Sequence, residues 1–288
     1  MATLKAIRKR ISSVRNTQQI TKAMKMVSAA KLRRAQEAAL AARPYAEKMT
    51  ELLRNVAARV SGAAHPLLNA REEKKIDLVL FTSDRGLCGG YNANLIRAAE
   101  AFARQHGGAR AIELTLVGRK GGDYFRRRRA TIAGRYTDIL AQAPDELAAG
   151  IAQKLIGRFI AGETDAVYLL YSRFRSALSQ VPTLEKLLPV ALAENSDAEA
   201  RQETEYLYEP GVQQLLASLL PRVTGVAVQR ALLEATASEH GARMTAMESA
   251  SGNAAKMIGS LTLQMNRARQ ASITRELMEI VGTAEALK

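Results

Sequence analysis

Tryptophan is absent from this 288-residue chain, and Phe, Tyr and Trp together make up only 5% of it. So few large rings, with Gly and Pro sparse outside one middle region, argue against an all-β sandwich or barrel and favour helix. A single cysteine, Cys88, excludes an internal disulfide framework and a cysteine-built zinc site. His65, His106 and His240 lie far apart and show no metal-ligand spacing. No stretch approaches ~18 uninterrupted apolar residues, so no transmembrane helix is expected. Acids are scarce too: 28 Asp and Glu stand against 42 Lys and Arg, a formal net charge of +14.

Hydrophobic residues form 47% of the chain, enough for a core, and the length suits one large or two modest domains. A chain this basic usually meets something acidic: nucleic acid, anionic lipid or an acidic protein surface. Residues 1–43 hold eleven basic residues and one acid, Glu37, a net +10 in one segment. Residues 193–210 run the other way, with six acids and only Arg201.

Three zones follow. From Met1 to Arg43 there is neither Pro nor Gly, and the pattern predicts a helix that continues through Pro44 to about Val60. Sixty helical residues would be ~90 Å long and need a partner along their length. Its apolar stripe reads Leu4, Ile7, Ile11, Val14, then Ile20, Met24, Val27, with a slip of phase across Asn16–Gln19. From Lys75 to about Pro210, strands at 76–81, 112–117 and 166–171 alternate with helices at 94–105 and 146–160, the pattern of a largely parallel sheet. In the last zone, Leu233, Ala237, His240, Met244, Met247, Ser251, Ala254, Ile258, Leu261, Met265, Ala268 and Ser272 step by alternating four and three. Half are Ala, Ser or His, which allow close approach but bury little apolar area. The economical arrangement pairs the first and last helices antiparallel, with the α/β zone inserted. A domain of ~130 residues, ~30 Å across, cannot cover a ~90 Å helix. The boundaries expected are 1–60 and 211–288 for the two coiled-coil helices and 75–210 for the α/β domain.

The stretch Thr82–Asn92, with Gly86, Gly89 and Gly90, sits between a strand and a helix, where α/β folds bind phosphates. It has no Gly-Lys-Ser/Thr ending and no G-x-G-x-x-G spacing, so a tight turn using glycine at positive φ is the better reading. Cys88 has no histidine beside it and reads as a small buried apolar residue. Arg126–Arg129 spread around any helix or strand, which suits a solvated surface. The basic first helix lacks aromatics for base stacking before Tyr45, which weakens a nucleic-acid role. No Ser/His/Asp, Cys/His or paired-carboxylate set stands out. The residues alone describe a helical rod with an α/β head that acts by binding.

The segment from Ile7-Arg8 through Ser12-Ser13-Val14-Arg15-Asn16-Thr17-Gln18-Gln19-Ile20-Thr21-Lys22-Ala23-Met24-Lys25-Met26-Val27 closely resembles the start of the gamma subunits of F-type ATP synthases. Arg267-Ala268-Arg269-Gln270-Ala271-Ser272-Ile273-Thr274-Arg275-Glu276-Leu277 resembles their end. Ser83–Asn92 and Tyr206-Leu207-Tyr208-Glu209-Pro210 are similar to motifs between, in the same order. In one departure, Gly282-Thr283-Ala284 stands where the family usually has Gly-Ala. The match begins within a few residues of Met1, so a bacterial-type subunit without a presequence is expected. The cysteine pair of the chloroplast version is absent.

The resemblance implies an α/β fold in which a long antiparallel coiled coil of the N- and C-terminal helices carries an inserted Rossmann-like α/β domain. It implies one rotor copy inside a ring of three alpha and three beta subunits, docked with epsilon on a c ring that protons or sodium ions turn. Membrane association would run through the c ring, peripherally, on the cytoplasmic face of the bacterial plasma membrane. No catalytic, cofactor-binding or metal-ligating residue, no cofactor and no nucleic acid is expected. The family's alpha/beta contacts fall near Met24, Lys25, Arg243, Arg269, Gln270 and Thr274. Its c-ring and epsilon contacts fall around Tyr206, Tyr208 and Glu209.

Overall fold

The computed structural model describes residues 4–57, 65–106, 112–139, 143–191 and 211–286. Helix α1 (Leu4–Ala57) comes first, with Pro44 inside it, and α5 (Val212–Ala286), with Pro221 inside it, comes last. Between them lie a 3-10 turn (Pro66–Leu68) and the elements β1 (Ile76–Phe81), α2 (Tyr91–Gln105), β2 (Ile112–Val117), α3 (Arg119–Arg127), β3 (Ile132–Tyr136), α4 (Pro144–Ile160), β4 (Ala166–Phe174) and β5 (Gln180–Leu188). The chain divides into two compact units, one of Met1–Ser28 with Arg243–Lys288, the other of Ala29–Ala242.

The larger unit is built on a five-stranded sheet of order β3-β2-β1-β4-β5. The first four strands are parallel and β5 is antiparallel to β4. β1 is buried at all six positions, and five of the six are apolar, with Asp77 the exception. Alternate residues serve opposite faces. Leu78 and Leu80 join Leu95, Phe102, Leu114, Leu116 and Phe125 on the side of α2 and α3. Val79 and Phe81 join Ile151, Leu155 and Phe159 of α4, together with Met49, Leu53 and Val56 of α1 and Leu216, Leu220 and Leu232 of α5. α4 starts with Pro144 in its first turn, followed by Asp145 and Glu146, residues suited to the positive end of a helix.

β3, β5 and α3 are absent from the sequence reading. β3 is a five-residue edge strand, mostly exposed, and β5 carries Pro182. In α3, Gly121 and Gly122 look like breakers. A Cβ on Gly122 would stand 2.7 Å from Arg135 Nε, so this glycine lets the Arg135 side chain lie on the helix. Arg126–Arg129 are exposed, as expected of a solvated surface. Arg128 stacks 3.7 Å from the centre of the Tyr124 ring.

The smaller unit is a helix pair. Ile7, Ile11 and Val14 cluster with Ile258, Leu261, Met265 and Ala268, and Lys25 Nζ reaches Glu248 Oε1 at 2.5 Å. Low numbers on α1 meet high numbers on α5, so the pair is antiparallel. All twelve positions of the α5 stripe are buried or half-buried. The phase slip on α1 is not observed. Residues 4, 7, 11, 14, 18, 21, 25 and 28 keep one unbroken heptad inward, and 32, 35, 39, 42, 46, 49, 53 and 56 continue it in the larger unit. Gln18, Thr21, Lys25 and Ser28 occupy the seam, while Ile20 and Val27 face outward at 60% and 56% exposure. Following apolar residues alone loses the register where the seam turns polar.

Candidate functional site

A sheet of this order has its switch point between β1 and β4, where the crossovers leave in opposite directions and ligands commonly bind beyond the strand ends. Here α5 fills that place. Tyr91 Oη donates to the Ala235 carbonyl at 3.1 Å, and Ser238 Oγ donates to the Ser172 carbonyl at 2.7 Å. What remains between Phe81, Thr82, Tyr91, Leu232 and Glu239 is a cavity of about 10 Å³, room for one water at most.

The glycine-bearing loop after β1 is closed as well. Ser83 N donates to Asn92 Oδ1 at 3.0 Å, Asn92 Nδ2 to Ser83 Oγ at 2.7 Å, and Ser83 Oγ to the Arg85 carbonyl at 2.6 Å. Asp84 accepts from Arg119 N at 3.1 Å and from Ile139 N at 2.9 Å. Thr82 Oγ1 accepts from Gly121 N at 3.0 Å. The first amides of α3 are therefore bonded to this loop. The motif is a latch that ties β1, α2, α3 and the turn after β3 together. Its positive φ falls on Gly89 (57°) and, unexpectedly, on Leu87 (64°). Cys88 is buried, with Asn92 Nδ2 3.2 Å from its sulfur.

Elsewhere in the larger unit, charged clusters hold elements together. Asp77, fully buried on β1, binds Arg158 of α4 and accepts from Thr115 Oγ1 at 2.8 Å. Arg158 also engages Glu113 and, at 3.1 Å, Glu163. Burial pushes the Asp77 carboxyl up to about 6, against the opposing pull of Thr115 and Arg158. Burial and the Glu73 carboxylate push Tyr168 up to about 12. Among the described residues no group of three or more His, Cys, Asp or Glu side chains is placed to hold a metal.

The helix pair is the part of the molecule that offers itself outward. Arg269, Gln270 and Thr274 are exposed on two successive turns of α5, with Thr274 Oγ1 bonded to the Gln270 carbonyl at 3.0 Å. Met24 and Lys25 are half-buried on α1, and Arg243 is buried. Arg243 and Arg269 lie ~39 Å apart along α5, so these residues form separate groups. Tyr206, Tyr208 and Glu209 lie outside the described residues. Beyond Ser272 every described α5 side chain is exposed, including Ile273, Leu277, Met278, Ile280 and Val281. So much apolar surface on one helix end marks an interaction site. Ile20, Met26 and Val27 of α1 are exposed as well, farther along the pair. The apolar residues beyond Ser272 lie past the end of the α5 stripe, whereas Ile20 and Val27 stand in the α1 stripe read from the sequence. Their signal is apolar side chains that fall outside the heptad.

Residues 3–287 match the family model described as ATP synthase. The chain is 54% identical to the ATP synthase gamma chain of Geobacter metallireducens and 51% identical to that of Anaeromyxobacter sp. strain Fw109-5, in each case over the whole of both chains. A chain from the central stalk and c-ring of the Tetrahymena thermophila mitochondrial ATP synthase superposes with a TM-score of 0.62 at 28% identity, covering 81% of this chain and 99% of that one. A chain from the Euglena gracilis mitochondrial ATP synthase shares the fold, with a TM-score of 0.68 at 21% identity over 99% of this chain and 94% of that one.

Proposed function

The chain belongs to the ATP synthase gamma-chain family, and from that premise we propose how its two units divide the work. It is the central-stalk rotor subunit of an F-type ATP synthase, coupling ion-driven rotation of the c ring to ATP synthesis and hydrolysis at the beta-subunit sites. The helix pair is the part that turns inside a collar of three alpha and three beta subunits, one copy per complex. The larger unit docks with epsilon on the c ring, through the segment that includes Tyr206, Tyr208 and Glu209. Among the described residues no helix is long and apolar enough to cross a membrane, so attachment through the c ring, at the cytoplasmic face, suits the chain.

The observation that carries this reading is the exposed apolar end of α5 beside a basic α1. Residues 1–28 contain seven basic residues and no acid. Long-range attraction to an acidic collar locks position less than apolar knobs in pockets would. The apolar end, at the tip, supplies a bearing contact. Arg269, Gln270, Thr274 and Met24 are the collar contacts that change through a turn. A rotor biases a distant site only through contacts that differ between orientations, so such residues set the coupling. Lys25 is bonded across the helix pair to Glu248. Gel filtration of the chain with purified alpha and beta subunits tests the assignment. A complex with one copy of this chain per three alpha and three beta is expected. Separate elution of all components, or several copies per ring, would refute it.

A further inference from the structure

We propose that Lys25 and Glu248 are positioning residues that clamp the two rotor helices together across a stretch where the seam has little apolar adhesion. One half of the pair is held by Ile7, Ile11 and Leu261. In the other half the same antiparallel register brings Gln18 and Thr21 beside Ala254 and Ser251. Thr21 Oγ1 donates to the Gln18 carbonyl of its own helix at 3.0 Å, so its proton is not offered across the seam. Small and polar side chains bury little apolar surface there. Lys25 Nζ crosses to Glu248 Oε1 at 2.5 Å in this half.

The charge pattern gives the pair its weight. Residues 1–28 carry no acid, and Glu248 is the only acid between Arg243 and Arg275. Neutralising it leaves two basic helix segments facing each other where packing is weakest. With side chains 38% and 59% exposed, the pair contributes modestly to overall stability. Its effect is local: it sets the spacing of the helices, as a polar contact in a coiled coil commonly specifies geometry. The resemblance assigned Lys25 to the collar, whereas the geometry turns it inward. A clamp of this kind needs opposite charges and is indifferent to which helix carries which.

The test compares Glu248→Gln, Lys25→Gln and the exchange Lys25→Glu with Glu248→Lys, in the full chain with Cys88→Ala. Spin labels at Ala23→Cys and Ser249→Cys, both exposed, report the helix spacing. The parent should give one narrow distance distribution. Each single variant should broaden it at least twofold, and the exchange should restore it. In the assembled synthase, the ratio of proton pumping to ATP hydrolysis should fall severalfold in the single variants and return in the exchange. This second readout rests on the rotor reading. Failure to assemble would count against that reading, while the distances still decide the clamp. Unchanged distances in the single variants, or an exchange as broad as they are, would overturn the clamp. Restored distances without restored coupling would show that the Lys25 charge acts on the collar and would overturn the inward assignment.

Discussion

Asp77 shows how a buried charge can be read from either direction. Its carboxyl titrates at about 6 in the fold, against a reference of 3.8, because burial outweighs the help of Thr115 and Arg158. Between those two values the folded chain holds a proton that the unfolded chain has released. The group's contribution is therefore fully present below the reference value and is lost as the pH rises through about 6. Relative to an Asp77→Asn variant, the parent should lose about 3 kcal/mol between pH 3 and pH 8. Urea unfolding of both proteins across that range measures it, and a difference independent of pH would contradict the burial argument. Gly118 is the sharper case. Its φ is 101°, and a Cβ would stand 2.1 Å from the Thr82 carbonyl oxygen. Gly118→Ala should cost about 3 kcal/mol or more, read as a shifted denaturation midpoint. Cys88, with no chemical partner beyond Asn92 and the loop, should tolerate Cys88→Ala with ATP hydrolysis near the parent rate. A loss beyond ~100-fold in an intact complex would reveal a chemical role for the thiol.

At the scale of elements, β1 and β2 stand where the sequence reading places them, and β4 begins where it should. Their residues are mostly buried on both faces and mostly apolar, broken only by Asp77 in β1, by Glu113 and Thr115 in β2 and by the polar end of β4. β3 and β5 sit at the sheet edges, where half-exposed, mixed sequences carry no such signal. Thr82–Asn92 was legible as a turn, but the role of Asp84 was not, since its partners Arg119 and Ile139 are distant in sequence. The seam of α1 was legible only in its apolar half. Side chains at Gln18, Thr21 and Ser28 give no hydrophobic signal, and Ile20 and Val27 gave a false one. This reassignment has a direct consequence. Ile11→Ala should weaken the helix pair by about 2 kcal/mol, whereas Ile20→Ser and Val27→Ser should change it by less than about 0.5 kcal/mol. Hydrogen exchange of α1 amides in each variant separates the two outcomes. Equal losses at positions 11, 20 and 27 would restore the slipped register.

For the whole molecule, the larger unit has a two-sided core and a plugged switch point, while the helix pair has a thin seam and an exposed apolar end. Such a chain turns as a rotor. The direct measurement attaches a bead to the larger unit at Leu178→Cys, a hairpin tip that is 87% exposed, in a Cys88→Ala background. With the collar fixed to a surface and ATP supplied, the bead should rotate in one direction and pause at three positions, matching the three beta subunits. A complex of correct composition that hydrolyses ATP while the bead stays fixed or wanders without direction would contradict the claim.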